Sequence, residues 1–203
     1  MLETIFEFDR SITFFINGAH TPFWDAIMLF FSAKTVWIPL YLAMAAAMFF
    51  PKRYGKPQIK GWVAALIGIG AILVAFGLTD QICNLLKNTT ERLRPGHDPI
   101  TGPLMWLPDG KGGLYTFPSA HSANSMCLAV LTSLIFRRKW YTITLVSWSI
   151  IIGFSRIYLA RHFFTDVLCG LILGAIIAYL IYKLWEKVWN IYLKKHNQQC
   201  SVS

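Results

Sequence analysis

The sequence predicts an all-α protein, a polytopic bundle of about five transmembrane helices preceded by an interfacial helix. Of its 203 residues, 55% are hydrophobic and only 14% are charged, and the mean hydropathy is +0.48. Soluble domains carry roughly 25% charged residues. The apolar residues are also concentrated in long runs, and no linker, repeat or low-complexity segment separates them. Residues 1–203 are therefore predicted to form a single membrane-embedded domain.

Five apolar runs mark the predicted spans. They cover residues 23–50, 61–86, 126–136, 140–157 and 167–185. A helix needs about 20 residues to cross the hydrocarbon core, so the third run is long enough only if residues 119–125 belong to its helix. Lys34 interrupts the first run and leaves two interpretations open. Either residues 21–32 lie in the interface and residues 35–50 cross, or Lys34 snorkels from one long helix.

The N-terminal segment has the features of a short interfacial helix. It begins with acidic residues where a secretory signal would be basic, and it has no small-residue cleavage site. A sixth span of about 13 residues that contained Asp9 and Arg10 would be too short and too polar. We therefore expect this segment to lie in the interface.

Basic residues between the spans indicate the orientation. They form three clusters beside a single acid, Glu186, and comprise Lys52, Arg53, Lys56, Lys60, Arg137, Arg138, Lys139, Lys183, Lys187, Lys194 and Lys195. Because Lys and Arg accumulate in cytoplasmic loops, the clusters predict an outer N-terminus and a cytoplasmic C-terminus. The net charge of +9 is then mostly topological, and nucleic-acid binding is not expected because the basic residues lie at helix ends. The four cysteines have no metal or redox spacing.

Polar and ionisable side chains collect at the predicted outer ends of the spans. The set comprises Lys87, Arg94, Ser119, His121, Arg156, His162 and Asp166. Ends of even-numbered spans and starts of odd-numbered spans share one side of the membrane, so all of these residues are predicted to lie at the outer face. Ionisable clusters at such a depth indicate a functional site.

The chemistry of this cluster is complementary to a phosphoryl group. Guanidinium groups match phosphate oxygens in pairs, and a helix that starts at Ser119 offers free N–H groups, including that of Ala120, to an anion. His162 and Asp166 are four residues apart and would share a helix face. Asp166 is expected to accept a hydrogen bond from Nδ1–H of His162, which leaves Nε2 free to attack, while His121 protonates a leaving oxygen.

Three spaced motifs carry a family resemblance. They are a Lys followed by six residues and Arg-Pro (Lys87 to Arg94-Pro95), then Pro118-Ser119-Ala120-His121, then Ser155-Arg156 followed by His162 and Asp166. The sequence resembles the type 2 phosphatidic acid phosphatases (PAP2), whose fold also occurs in bacterial acid phosphatases and vanadium haloperoxidases. Ala120 departs from the Gly of the family motif. It keeps the backbone N–H but disfavours a positive φ.

The resemblance implies a role for each residue of the cluster. His162 is the nucleophile that forms a phosphohistidine, Asp166 orients it, and His121 is the general acid and later the base that activates water. The phosphoryl oxygens are held by Lys87, Arg94, Ser119, the Ala120 N–H and Arg156. No metal and no cofactor is required.

Three further residues lie outside the motifs. Arg161 directly precedes the proposed nucleophile, and it is expected either to face lipid headgroups or to reach a second phosphate. His97 and Asp98 in the loop after the first motif are expected to be solvated.

The expected function is a metal-independent hydrolase for a lipid phosphate or diphosphate, located in a bacterial inner membrane with its site on the periplasmic side. Two alternatives remain: a lipid phosphotransferase of the same fold, and a non-catalytic carrier of an anionic lipid. The His162–Asp166 pair argues against the carrier, because binding alone needs no polarised imidazole. The residues do not distinguish phosphatidic acid, phosphatidylglycerol phosphate, undecaprenyl diphosphate and lipid A phosphates, and they leave the oligomeric state open.

Overall fold

Helices form almost all of the computed structural model, which describes residues 2–51 and 60–200. In this part of the chain the α-helices are α1 (Leu2–Gly18), α2 (Pro22–Ser32), α3 (Ile38–Ala47), α4 (Gly61–Thr90), α5 (Ala120–Phe136), α6 (Lys139–Tyr158) and α7 (Phe164–Cys200). The described residues contain no strand beyond a single bridge between Leu93 and Tyr115. The predicted all-α class is confirmed.

Helix α5 is the centre of the bundle and packs against α4, α6 and α7. Its contact with α7 is close because α7 presents two glycines four residues apart. A Cβ on Gly170 would lie 2.6 Å from the carbonyl oxygen of Ser119, and one on Gly174 would overlap the carbonyl oxygen of Ala123. Small residues at this spacing let helix backbones approach each other in membranes. The start of α7 is thereby held against the start of α5.

Two helices, α4 and α7, are each long and apolar enough to cross a membrane. The pair formed by Pro22–Ser32 and Thr35–Ala47 passes the same test together, but it is bent by 64° at the break that contains Lys34. The first apolar run is therefore not one continuous helix. Helix α5 includes residues 120–125, as its length required, and still has only 17 residues. The count of five spans stays a prediction.

Helix α1 lies against the bundle through a polar stripe. Asp9, Thr13 and Asn17 recur every fourth residue and are 0–2% exposed, whereas Phe8 and Phe15 on other faces are exposed. The predicted N-terminal helix is present, and the stripe shows that it is part of the packed structure. Its location in the membrane interface stays a prediction.

The two described basic clusters lie at one end of the bundle. Arg137, in the turn between α5 and α6, donates a hydrogen bond to the hydroxyl of Tyr182 in the second half of α7, at 2.7 Å. This contact lies at the opposite end of α5 from Ser119. Lys52, Arg53 and Lys56 of the third cluster lie outside the described residues.

Candidate active site

The motif residues meet at the end of the bundle where α4 and α6 end and α5 and α7 begin. His162 lies at the centre, in the short loop before α7, and is 1% exposed. Burial lowers the pKa of His162 well below its ordinary value, and electrostatic interactions with neighbouring site residues lower it further; these residues are Arg94, Arg156, Lys87 and His121. The structure therefore gathers residues from all three motifs around one neutral imidazole.

His162 and Asp166 are joined through a third residue rather than directly. Nδ1 of His162 lies 3.9 Å from Oδ2 of Asp166, which is too far for a hydrogen bond. The hydroxyl of Thr116 lies between them, 2.9 Å from Nδ1 and 2.5 Å from Oδ2. The predicted direct contact is not formed because His162 precedes α7, so the spacing rule for two residues of one helix does not apply to it.

This bridge determines which nitrogen of His162 carries the proton. Asp166 accepts hydrogen bonds from Thr116, from the N–H of Phe163 at 2.8 Å and from Arg92 at 2.8 Å, as expected of an ionised carboxylate. The single hydroxyl proton of Thr116 is therefore used on Asp166. Its oxygen must accept from Nδ1–H of His162, which leaves the lone pair on Nε2.

Arg92 and Asp9 extend the network beyond the predicted residues. One guanidinium nitrogen of Arg92 contacts Oδ1 of Asp166 at 2.8 Å, and the other contacts Oδ2 of Asp9 at 2.5 Å. Thr116, Arg92 and Asp9 were not predicted from the sequence. Two signals were available: Arg92 and Thr116 lie two or three residues from motif positions, and Asp9 belongs to the four-residue polar repeat of α1.

The start of α5 has the geometry of an anion-binding site. Ser119 is the N-cap, and its oxygen accepts hydrogen bonds from the N–H of Ser122 at 3.4 Å and from the Ser122 hydroxyl at 2.9 Å. Its own hydroxyl proton is left available for a ligand. Ala120 begins the helix and is not among the described non-glycine residues with positive φ, so the departure from Gly causes no backbone strain.

The two predicted arginines are both hydrogen-bond donors, Arg156 buried and Arg94 half-buried. Arg156 is 5% exposed, and one of its terminal nitrogens donates to the hydroxyl of Ser32. Its Nε is buried without a hydrogen-bond partner among the described residues. An unpaired buried donor is costly, so an anionic ligand at this position is expected. Arg94 donates to the carbonyl oxygens of Tyr115 and Arg161, at 3.1 and 3.3 Å.

The structure also shows the contacts of the three loop residues that lie outside the motifs. The guanidinium of Arg161 contacts the carboxylate of Asp109 at 2.6 and 2.8 Å. Its two predicted roles, toward lipid headgroups or a second phosphate, stay predictions. His97 contacts the carbonyl oxygen of Gly112 at 3.2 Å. Solvation of Asp98 was a wrong prediction, because Asp98 is 9% exposed and pairs with Arg10 at 2.9 Å. Burial opposes ionisation of Asp98, but hydrogen bonds from Arg10 and two backbone N–H groups keep its pKa below the usual value.

Comparison with known proteins identifies the family. A model of the PAP2 superfamily matches residues 68–190, a stretch that holds all three motifs. The chain belongs to the PAP2 superfamily. It is 33% identical to the lipid A 4'-phosphatase of Bacteroides thetaiotaomicron, over 93% of this chain and 81% of that protein. It is 34% identical to the lipid A 4'-phosphatase of Porphyromonas gingivalis, over 91% of this chain and 75% of that protein.

A solved PAP2 structure has the same fold. The transmembrane PAP2-type phosphatidylglycerolphosphate phosphatase from Bacillus subtilis superimposes with a TM-score of 0.69 and 26% identity, over 91% of this chain and 88% of that one. This PAP2 protein is accordingly an integral membrane enzyme, a phosphoric ester hydrolase that acts on lipids.

A cavity of about 90 Å³ adjoins the site of this PAP2 enzyme on the His121 side. Its polar end is lined by Ser32, Lys34, His121 and Asn124. Its remaining wall is mostly apolar and aromatic, formed by Phe31, Trp37, Tyr41, Phe76, Leu128 and Ile152. Lys34 lies in the bend between α2 and α3, which places it at the polar end of the cavity.

No metal-binding group stands out in the part of the chain that the structure describes. Within residues 2–51 and 60–200, no three His, Cys, Asp or Glu side chains are arranged to hold an ion. Metal-independent catalysis stays a prediction for this PAP2 enzyme.

Proposed function

We propose that this PAP2 enzyme hydrolyses a phosphate monoester of a lipid A-type glycolipid at the outer face of the membrane, through a phosphohistidine on His162. The observation that carries the proposal is the Thr116 bridge. It fixes a proton on Nδ1 and leaves the lone pair on Nε2, as a nucleophilic imidazole requires.

The reaction has two steps. Nε2 of His162 attacks phosphorus, the bond from phosphorus to the lipid oxygen breaks, and His121 gives that oxygen a proton. His121 then takes a proton from water, the water oxygen attacks phosphorus, and the P–N bond breaks to release inorganic phosphate. The two steps use His121 in opposite proton states, first as an acid and then as a base, as general acid–base catalysis requires.

The cations of the site stabilise the charge that develops on the phosphoryl oxygens. Lys87, Arg94 and Arg156 surround His162, and the unpaired Nε of Arg156 is a buried donor. Ser119 and the Ala120 N–H add neutral donors at the positive end of α5. Donors that are fixed in advance in a water-poor site contribute strongly to transition-state stabilisation.

Two observations support a lipid A-type substrate and an outer site. The two lipid A 4'-phosphatases match over nine-tenths of this chain, whereas the phosphatidylglycerophosphatase B of Bacillus subtilis matches over 77% of it. The described basic clusters, which the positive-inside rule assigns to the cytoplasm, lie at the end of the bundle opposite the site. The leaving lipid is then expected to occupy the cavity beside its proton donor, His121.

The test measures phosphate release by the purified protein. Lipid A with a 4'-phosphate, phosphatidic acid, phosphatidylglycerol phosphate and undecaprenyl diphosphate are compared by kcat/KM, and we expect the lipid A substrate to be preferred. His162→Ala should abolish turnover in a folded protein, because phosphate monoesters hydrolyse among the slowest of uncatalysed reactions. Wild type should accumulate acid-labile, base-stable phosphate that the variant lacks, and EDTA should leave the rate unchanged.

Each of these measurements has a result that would contradict the proposal. Substantial turnover by His162→Ala would refute the phosphohistidine. A rate lost in EDTA and restored by a divalent cation would refute the metal-free mechanism. Phosphate recovered on a second lipid would identify a transferase, and lipid bound without any phosphate release would identify a carrier.

A further inference from the structure

The N-terminal helix reaches the active site through a single buried carboxylate. Asp9 is fully buried although it lies near the start of α1, far in sequence from the motifs. A buried carboxylate is stable only when it is paired and hydrogen-bonded. The partners of Asp9 are therefore informative.

Asp9 contacts two other segments at once. Its Oδ1 accepts the N–H of Thr165 at 2.8 Å, and its Oδ2 accepts the hydroxyl of Thr165 at 2.5 Å. Thr165 is in the first turn of α7, where backbone N–H groups have no partner within the helix. The same Oδ2 pairs with Arg92 at 2.5 Å.

Arg92 is held in one orientation by all of its neighbours. Its guanidinium bridges Asp9 and Asp166, and it also donates to the hydroxyl of Thr165 at 2.8 Å. The rings of Phe163 and Phe6 lie 4.5 and 5.1 Å from its central carbon. A planar guanidinium between two carboxylates has little freedom to rotate, so the position of Asp9 sets the angle at which Arg92 meets Asp166.

We propose that Asp9 is a positioning residue of the PAP2 reaction. A continuous series of contacts runs from Asp9 through Arg92, Asp166 and Thr116 to Nδ1 of His162. Asp9 touches neither the substrate nor the reacting nitrogen. It holds the group that orients the nucleophile, so α1 completes the active site rather than only anchoring the chain. This inference relies on the proposed role of His162.

A purely structural role for α1 predicts a different outcome, because α1 has other anchors. Arg10 pairs with Asp98 at 2.9 Å, and the amide of Asn17 donates to the carbonyl oxygens of Tyr158 and Trp106 at 2.7 and 2.8 Å. None of these contacts reaches Asp166. If α1 only needed to be attached, then the loss of Arg10 would impair the enzyme as much as the loss of Asp9.

The experiment compares Asp9→Asn with Arg10→Gln, the adjacent anchor, and with Glu7→Gln, an exposed acid of the same helix. For Asp9→Asn we expect kcat to fall about 10- to 100-fold and KM to stay within about two-fold, because a small misplacement of a reacting group is costly while the substrate contacts are intact. Phosphohistidine formation in a single turnover should slow to the same extent. Arg10→Gln and Glu7→Gln should keep kcat within about two-fold of wild type.

Other results would overturn the inference. Equal losses of kcat in Asp9→Asn and Arg10→Gln would assign α1 a structural role only, and wild-type kcat in Asp9→Asn would remove Asp9 from the mechanism. If Asp9→Asn does not fold, Arg92→Lys tests the same series of contacts, because a single ammonium cannot bridge both carboxylates. An unchanged kcat in Arg92→Lys would contradict the inference. The proposed function is judged separately by wild-type turnover and by His162→Ala.

Discussion

At the scale of single residues, Thr116 is the most consequential side chain that lies outside the three motifs. It connects His162 and Asp166, which follow it by 46 and 50 residues. A hydroxyl can accept one hydrogen bond and donate another, so it passes the orienting effect of a carboxylate to an imidazole that the carboxylate does not touch. The position needs that hydroxyl, and its size alone is not sufficient.

Thr116→Val and Thr116→Ser separate these two requirements. Valine keeps the shape but removes both hydrogen bonds, and hydrogen bonds to charged groups contribute about 1.5–3 kcal/mol each, so kcat should fall about 10- to 100-fold or more. Serine keeps the hydroxyl and should stay within about five-fold of wild type, since only a buried methyl group is lost. Steady-state kinetics on the preferred lipid measures both. Similar kcat values for the two variants would show that the bridge has no role in turnover.

The lowered pKa of His162 also makes stability depend on pH. In the unfolded chain this imidazole binds a proton near pH 6.5, whereas in the folded protein burial and neighbouring cations prevent it. Acid therefore favours the unfolded state at this group, and the contribution of His162 to the free energy of unfolding should fall by up to about 1.4 kcal/mol per pH unit below pH 6.5.

Unfolding in detergent between pH 5 and pH 8 measures this dependence. His162→Gln should have a shallower slope below pH 6.5 than wild type. Asp98→Asn is the matched control. Because the pKa of Asp98 is lowered, its contribution to the free energy of unfolding is complete above pH 3.8, its pKa in the unfolded chain, and is lost only at lower pH. Asp98→Asn should therefore keep the wild-type dependence of stability on pH between pH 5 and pH 8. Equal slopes for wild type and His162→Gln would mean that His162 binds a proton in the folded state.

At the scale of elements, the sequence predicts helices well and their contacts poorly. Long apolar runs locate α4, α5, α6 and α7, because hydropathy reports directly on burial in lipid. The same signal ends near residue 185, yet α7 continues to Cys200, since Lys, Glu and Gln are good helix formers outside the membrane. The break at Lys34 left two interpretations, because a charge in an apolar run is compatible with a kink or with snorkelling.

The sequence likewise predicts the site residues that belong to local motifs, but not those that come from distant parts of the chain. The motifs predict which residues meet, because their spacing is local and they carry a family resemblance. Hydropathy and spacing do not predict the role of Asp9, because its partner Arg92 lies 83 residues away. The charge of Asp9 argued only against a transmembrane helix. Hydropathy and spacing also misplace His162, since four-residue spacing implies contact only when both residues belong to one helix.

At the scale of the whole molecule, the bundle has a catalytic end and a basic end. The motif residues surround the starts of α5 and α7, and the described basic clusters lie at the other end. By the positive-inside rule, we predict that the product phosphate is released outside the cytoplasm.

Cysteine labelling tests this sidedness. In a variant with all four native cysteines replaced, Lys111→Cys in the loop before α5 should react with an impermeant thiol reagent added to sealed spheroplasts. Lys139→Cys, exposed at the start of α6, should react only after the membrane is permeabilised. The opposite pattern of labelling would invert the topology and place phosphate release in the cytoplasm.

The contact between α1 and α7 has a consequence for biosynthesis. Asp9 leaves the ribosome early, but its partner Thr165 is made 156 residues later, which takes roughly 8 to 30 s at usual translation speeds. Until then Asp9 lacks Thr165, and only its other partner, Arg92, has already been made. The network that joins Asp9 to Arg92 and Thr165 can close only when nearly all of the polypeptide has been translated and inserted.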